Sequence, residues 1–278
     1  MALLFKVSGS LVRGRAGQPD EGENVAGRTN APGQTVSRRL LAVLDCFDVA
    51  HPALTLTEVA TRSGLPVSTA RRLINELRNW GGLERLDDGR YRIGIRLWTI
   101  GTLAPQQRGL REAALPYMHD LFRATQENIQ LTVLDGHEAL CIEKISSGKA
   151  VPTQTHIGGR LPLHATGVGK ALLAFSAREL FGAVTEAGLV RMTPHTIIQP
   201  GRLAAALAEV RKSGVAYSCE EMTLGAVSVA APILRLDGGV RAALGIVAHS
   251  RAAADRAAVD RLAPAVRTAA LGIARSSN

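Results

Sequence analysis

The chain has few aromatic residues and few cysteines, and both shortages limit what it can be. Phe, Trp and Tyr make up only 4% of its 278 residues, so aliphatic side chains and alanine must fill the interior. The three cysteines, Cys46, Cys141 and Cys219, are odd in number, far apart and outside any CxxC or Cys/His ligand spacing. We therefore expect a reduced, cytoplasmic protein with neither a disulfide framework nor a metal site.

The sequence also lacks a long apolar run. No run approaches the ~20 residues that a membrane-spanning helix needs. The apolar residues 2–5 are too few for a signal sequence and have no basic region before them. We expect neither export nor membrane attachment.

Lysine is scarce, whereas arginine is abundant. Only five of the 33 basic residues are lysine, and the net charge is +9. Arginine is the better residue for binding phosphate and guanine, so the composition permits a nucleic-acid partner. The alternative is that the arginines reflect the coding bias of a high-GC genome.

The length predicts about two domains, and residues 35–94 have the pattern of the first. Apolar residues at helical spacing predict a helix over 36–49. Thr55 and Glu58 have the spacing of a capping box that starts a second helix, and Gly64 is typical of its C-terminal end. A third helix over 67–80 precedes a hairpin turn at 88–89. This order predicts a winged helix-turn-helix, mostly α with a β-wing.

A winged helix-turn-helix typically places its third helix in the major groove of DNA. The first half of that helix is polar on the side away from its apolar stripe, and its hydroxyls and guanidinium groups can reach base edges or phosphates. The alternative is that the arginines are solvated surface residues. In chain order, the candidate DNA-contacting residues are Arg38 or Arg39, Thr57, Ser68, Thr69, Arg71, Arg72, Arg90 and Arg92.

Two segments flank this domain. Residues 1–34 are rich in Gly, Ser, Arg, Asn and Pro without a period, which predicts a disordered extension; a wrongly assigned start codon is the alternative. Residues 95–108 predict a linker helix with more apolar residues than one buried face needs. Burial against a partner subunit would explain the excess, and packing on its own domain is the alternative.

Residues 109–278 mix helical and strand patterns. Short turns at 135–136 and 237–239 join pairs of strands, and helices lie between and after them. This arrangement predicts an α+β domain with a largely antiparallel sheet. The predicted strands are 129–134, 139–145, 227–234 and 240–247, and the predicted helices are 110–126, 167–175, 203–210 and 253–273.

Four motifs occur in one order along the chain. They are residues 65–73 (LPVSTARRL), 91–94 (YRIG), 161–174 (LPLHATGVGKALLA), and 214–221 (GVAYSCEE) followed by 228–233 (SVAAPI). In these motifs the chain resembles the IclR-type bacterial transcriptional regulators over nearly all of 36–273. The resemblance implies a winged helix domain, a linker helix used in dimerisation and a C-terminal GAF-like effector domain. It also implies a dimer or tetramer that binds a palindromic operator in double-stranded DNA and answers to a small molecule, with no cofactor.

The resemblance also implies the effector site. The backbone of Gly167 and Val168 would contact the ligand at a helix start whose N–H groups suit a carboxylate; a tight turn needing small residues is the alternative. Ser218, Gly245 and Val247 stand where the family often has more polar residues, which favours an aromatic or aliphatic acid, or its lactone, over a small keto acid. The implied effector-binding residues are Leu161, Gly167, Val168, Ser218, Ser228, Gly245 and Val247.

Other functions fit the sequence less well. Residues 167–170 (GVGK) suggest a phosphate-binding loop, but the preceding Gly and following Ser or Thr of that motif are missing. No catalytic triad, metal spacing or nucleotide fingerprint supports an enzyme, so we expect none. A DNA-binding architectural protein without a ligand remains the main alternative to a ligand-responsive regulator, with repression of a catabolic operon favoured over activation.

Overall fold

The computed structural model describes residues 35–153, 155–250 and 256–277. The described residues separate into two compact units, divided between Leu97 and Trp98. The expected disordered extension, 1–34, lies outside the described residues. Within the described part, no helix combines the length and the apolar character that crossing a bilayer requires.

The first unit is a winged helix-turn-helix, which confirms the expected fold. Thr55 accepts from the backbone N–H of Glu58, and the Glu58 carboxylate accepts from that of Thr55, so both halves of the capping box form. Gly64 ends the helix with φ of 66°. The elements are α1 (Val36–Leu44), β1 (Ala53–Leu54), α2 (Leu56–Ser63), α3 (Val67–Trp80), β2 (Leu83–Arg85) and β3 (Tyr91–Ile93).

The first helix is shorter than predicted. It ends at Leu44 rather than at residue 49, and turns follow it. Phe47 still packs against the core of this unit. The spacing of Phe47 therefore correctly indicated that its side chain is partly buried, although its backbone lies beyond the end of the helix.

Helix α3 has the predicted amphipathic form. Ala70, Leu73, Ile74 and Leu77 are buried in the core that α3 shares with α1 and α2. The hairpin β2–β3 pairs antiparallel, and the two-residue strand β1, which the sequence did not reveal, adds to its edge in the order β1-β3-β2.

The predicted single linker helix, 95–108, is wrong in its extent. Helix α4 (Ile95–Gly101) stops, and α5 (Pro105–Thr125) begins after a break. Ala104 has ψ of 100°, since the residue before a proline avoids helical geometry. Pro105 lacks an N–H to continue the first helix but is tolerated in the first turn of the second.

The second unit is an α+β domain, as expected. Its sheet has the order β6-β5-β4-β9-β8-β7, and every neighbouring pair is antiparallel. The strands β6 and β7 and the helix α7 were not predicted. The elements after α5 are β4 (Asn128–Asp135), β5 (Glu138–Ile145), β6 (Arg160–Pro162), α6 (Gly167–Ala174), α7 (Arg178–Glu186), α8 (Pro200–Ser213), β7 (Ala216–Cys219), β8 (Ala226–Leu234), β9 (Val240–His249) and α9 (Arg256–Ser277).

The two faces of this sheet differ in polarity. On β4, Ile129 and Leu131 belong to the core formed with α5 and α9, whereas the alternate residues Gln130 and Thr132 face the other side. Strands β8 and β9 follow the same alternation, with Val229 and Leu244 in that core. The opposite face packs against α6 and α8 in a second core and leaves room for polar residues at one end.

Candidate nucleic-acid interface and ligand cavity

The exposed side of α3 carries the predicted polar residues. Ser68, Arg71 and Arg72 are exposed, and Thr69 is half-buried. Pro66, which precedes the helix, supplies no side-chain cap to the first backbone N–H groups. The helix start and these side chains therefore form one donor-rich surface.

The arginines of this unit differ in whether a carboxylate compensates their charge. Residues 35–97 hold ten arginines and seven acidic residues, so pairing decides which cations remain available. On the wing, Arg90 contacts Asp88 at 2.7 Å and Arg92 contacts Glu84 at 2.8 Å. In the described part of the chain, neither Arg71 nor Arg72 has an ion-pair or hydrogen-bond partner for its guanidinium. The surface of α3 is thus less compensated than the wing.

The structure also separates the remaining candidates of this unit. Arg38 is exposed, whereas Arg39 is only 8% exposed, which favours Arg38 of the two. Thr57 is exposed in the first turn of α2. Both therefore lie on the surface of the unit that carries α3.

A cavity opens at the polar end of the sheet in the second unit. Its space is about 420 Å³, including the part open to solvent. Seven of the thirteen residues around it carry a hydroxyl or amide, and none is charged. The lining residues are Gln130, Thr153, Thr155, Leu161, Ala165, Thr166, Ser218, Met222, Thr223, Ala226, Val227, Ser228 and Val247.

Strand register explains why distant residues meet in this cavity. Val247 on β9 pairs with Ser228 on β8, and Ser228 pairs with Ser218 on β7, so the three form a row across one face. Gly245 pairs with Gln130 on β4 one row away. A Cβ on Gly245 would lie 2.5 Å from a methyl of Val168, so the glycine lets α6 approach the sheet.

The start of α6 lies beside this row. Thr166 caps the helix, and its hydroxyl accepts from the N–H of Gly169 at 3.0 Å. Gly167 donates its N–H to Ser228 Oγ at 2.9 Å, and the contact of its backbone with a ligand stays a prediction. The N–H of Val168 has no acceptor among the described groups.

Four of the seven implied effector residues line the cavity, and the other three lie behind the lining. Leu161, Ser218, Ser228 and Val247 line it. Gly167, Val168 and Gly245 form the packed layer between α6 and the sheet. The lower polarity predicted at Ser218, Gly245 and Val247 stays a prediction, and Gln130 and the threonines of the loop after β5 add polar groups that it did not include.

Gln130 is a lining residue that the sequence analysis missed, although the sequence contained a signal for it. It is a polar residue within the strongly apolar strand β4 and is only 3% exposed. Thr153 and Thr155 gave none, because they lie in an irregular segment that reaches the cavity only through the fold.

A buried ion pair lies behind the cavity. Lys170 on α6 is 2% exposed, and its Nζ donates to Glu221 Oε1 and to the carbonyl oxygen of Tyr217. Burial lowers the pKa of Lys170, while Glu221 opposes that shift. The pair connects the motif at 161–174 to the motif at 214–221. Lys170 thus forms a structural ion pair and is not part of a phosphate-binding loop.

Other polar candidates also have structural partners. His164 is buried and its Nε2 lies 2.9 Å from the carbonyl oxygen of Val190. The thiol of Cys219 is exposed, and its pKa is raised by partial desolvation and by the neighbouring Glu220 and Glu221. Among the described residues, no group of His, Cys, Asp and Glu has an arrangement that could hold a metal ion.

Comparisons with known families match both units. The family model for the IclR helix-turn-helix domain matches residues 37–87. The model for the bacterial transcriptional regulator IclR C-terminal domain matches residues 103–275. Together they cover both described units.

Individual relatives extend this match. The chain is 33% identical to the transcriptional repressor IclR of Escherichia coli over 73% of this chain and 76% of that protein. It is 29% identical to the p-hydroxybenzoate hydroxylase transcriptional activator of Acinetobacter baylyi, over 83% and 87% of the two chains. A crystal structure of an IclR homolog from Microbacterium hydrocarbonoxydans, complexed with 4-hydroxybenzoate, matches with a TM-score of 0.82 at 34% identity, covering 87% of this chain and 98% of that one.

Proposed function

The chain belongs to the IclR family of bacterial transcriptional regulators, and from this premise we propose that it represses a catabolic operon under the control of a small organic acid or aromatic metabolite. Regulators of this family combine a DNA-binding domain with a ligand-binding C-terminal domain. The operator, the direction of regulation and the effector are the proposed parts.

The DNA-binding part depends on one observation above all. Arg71 and Arg72 extend from an exposed helix face without a carboxylate partner among the described residues, while α3 is anchored by its buried stripe. In the proposed complex the N-terminal half of α3 enters the major groove, where an arginine can bind guanine O6 and N7. Ser68, Thr69 and Thr57 contact the flanking phosphates, together with arginines of α1 and the wing: Arg38, Arg90 and Arg92.

A second copy of the chain fits this mode of binding. Ile95, Trp98 and Leu103 are each about two-thirds exposed or more, at 67%, 67% and 70%. These side chains are thus not covered by the described residues of their own chain. We propose that they are buried between subunits of a dimer or tetramer, which reads a palindromic operator as two half-sites.

The proposed effector is an aromatic carboxylic acid. A solved relative binds 4-hydroxybenzoate, and another relative activates transcription of p-hydroxybenzoate hydroxylase. The cavity offers Leu161, Met222 and Val247 for an apolar ring and hydroxyl groups for polar substituents. A coupling free energy of ~1–3 kcal/mol between the sites is typical for such regulators.

Footprinting on the region upstream of the gene, with and without 4-hydroxybenzoate, tests this function. We expect protection of one palindromic site, with two half-sites, and a change of at least several-fold in the dissociation constant when the effector is present. Protection that spreads along any DNA and ignores metabolites would favour the architectural alternative.

A further inference from the structure

A half-buried lysine lies directly behind one wall of the cavity. Lys144, on β5, donates from Nζ to Thr153 Oγ1 at 2.8 Å and to the carbonyl oxygen of Thr155 at 2.7 Å. Both threonines line the cavity, whereas Lys144 does not. Lys144 therefore contacts two residues that line the cavity without lining it itself.

The charge of Lys144 is uncompensated in the described part of the chain. No described carboxylate lies within ion-pair distance of its Nζ, and the neighbouring Glu143 contacts Arg111 instead. Burial lowers the pKa of Lys144. Partial burial of a cation without an opposite charge nearby costs free energy, and a bound anion would reduce that cost.

Hydrogen-bond directions show what the cavity offers a ligand. Thr153 Oγ1 accepts from Lys144, so the hydroxyl proton of Thr153 is left for another acceptor. Ser228 Oγ accepts from the N–H of Gly167 in the same way. No acceptor for either hydroxyl proton occurs among the described groups.

Gln130 adds a third donor. Its side chain is 3% exposed, lines the cavity and has no hydrogen-bond partner within the described chain. Two other lining hydroxyls already donate to the protein, since Ser218 donates to the carbonyl oxygen of Ala165 at 2.8 Å and Thr166 to that of Pro162 at 2.9 Å. The unused groups of the cavity are thus mainly donors, with a cation behind one of them.

We propose that Lys144 makes the cavity selective for a carboxylate ligand, acting through the hydroxyl of Thr153 as a positioning residue. This inference rests on the proposed function, since it takes the cavity as the effector site. One uncompensated cation matches the single charge of a monocarboxylate rather than the double charge of a phosphate ester. The donated bond from Lys144 strengthens the Thr153 hydroxyl as a donor to that charge.

The test compares a carboxylate with its neutral isostere on the full-length protein. Isothermal titration calorimetry measures the dissociation constants of 4-hydroxybenzoate and 4-hydroxybenzamide for the unaltered chain and for Lys144→Met. We expect the unaltered chain to prefer the carboxylate by about ten- to a hundredfold, the range of a charge-assisted hydrogen bond. In Lys144→Met the ratio should fall to near one.

Four further variants separate charge recognition from a merely structural role. Lys144→Arg should restore part of the preference, and Lys149→Met, which removes an exposed lysine of the same loop, should leave it unchanged. Thr153→Val should lose the preference with Lys144 intact, while Thr153→Ser should keep it. These loop variants also carry the test if Lys144→Met does not fold.

Three results would overturn the inference. One is an unchanged preference in a folded Lys144→Met protein, and another is an equal loss of affinity for both ligands, which would leave Lys144 as a loop anchor only. The third is that the unaltered chain binds neither compound or prefers the amide. Gel-shift binding to the operator is measured in parallel, because the regulator function fails only if specific DNA binding is absent.

Discussion

At the scale of single residues, pairing controls which side chains are available to a ligand. The wing arginines contact carboxylates, but exposed ion pairs contribute only ~0–1 kcal/mol, so a phosphate can still compete for them. Arg71 and Arg72 need no such exchange. Replacing either of them should therefore weaken DNA binding more than replacing an arginine of the wing.

Arg71→Ala should weaken operator binding by about 1–3 kcal/mol if the guanidinium contacts a base. Arg90→Ala is the matched control and should cost less, because Asp88 already compensates the charge of Arg90 in the free protein. Fluorescence anisotropy at one fixed salt concentration measures both. Equal dissociation constants for Arg71→Ala and the unaltered protein would remove Arg71 from the interface.

A glycine at the start of α6 is required by close packing. A Cβ on Gly169 would lie 2.6 Å from Leu163 Cα and from the Pro162 carbonyl oxygen, both backbone atoms that cannot rotate away. Gly169→Ala should lower the free energy of unfolding by about 1–3 kcal/mol, as overpacking typically does.

The control is Gly182→Ala in α7, where the added Cβ would meet nothing within 4 Å. It should raise the free energy of unfolding by about 0.5–1 kcal/mol through helix propensity. Urea denaturation of both variants tests the pair of predictions, which would be contradicted if both changes had the same sign.

At the scale of elements, two polar contacts fix the position of helices, one within a single helix and one between distant segments. The capping box starts α2 at Thr55 and so sets where the turn before α3 falls. The pair of Lys170 and Glu221 joins α6 to the segment after β7, beside the cavity. The first is exposed and local, and the second is buried and long-range.

The capping box should make the first unit sensitive to acid. Hydrogen bonds from the backbone and the hydroxyl of Thr55 lower the pKa of Glu58. A lowered carboxylate pKa stabilises the fold above the ordinary glutamate value, about 4.3, and this stabilisation is lost as the pH falls through the lowered pKa.

Unfolding followed by tryptophan fluorescence should therefore show Glu58→Ala less stable than the unaltered chain at pH 7, with the difference narrowing below about pH 4. A difference that stays constant from pH 7 to pH 3 would contradict this role of the carboxylate.

Breaking the buried pair should be costly. Lys170→Met leaves the Glu221 carboxylate buried without its cation and should lower the free energy of unfolding by about 3–5 kcal/mol. The double variant Lys170→Met/Glu221→Leu removes both charges and should recover much of that loss. Denaturant titration measures the stability of the single and double variants, and a double variant no more stable than Lys170→Met would contradict the unpaired carboxylate as the cause of the loss.

At the scale of the whole molecule, the exposed apolar residues of α4 are the proposed contact with a second subunit. Trp98→Glu should dissociate the proposed oligomer without unfolding the protomer, because Trp98 is 67% exposed in the single chain. Sedimentation velocity measures the change, with Leu236→Glu as the control at a residue that is 90% exposed on a turn. An unchanged sedimentation coefficient for Trp98→Glu would place the subunit contact elsewhere.

Local signals in the sequence determined most of the elements and their order. The capping box of Thr55 and Glu58, Gly64 in its left-handed conformation and the stripe of α3 each depend on neighbours within a few residues, so the pattern alone predicts them. The hairpin turns are local in the same sense. The family resemblance then predicted which segments surround the proposed effector site.

Only the tertiary structure decided how those segments meet. Lys170 and Glu221 are 51 residues apart, and Ser228 meets the N–H of Gly167 from a distance of 61 residues. Such contacts depend on strand register and on α6 packing against the sheet, which short-range patterns do not encode. The sequence also revealed neither the uncompensated charge of Lys144 nor the contrast between Arg71 and the wing arginines, because both depend on which carboxylates the fold brings within reach of each cation.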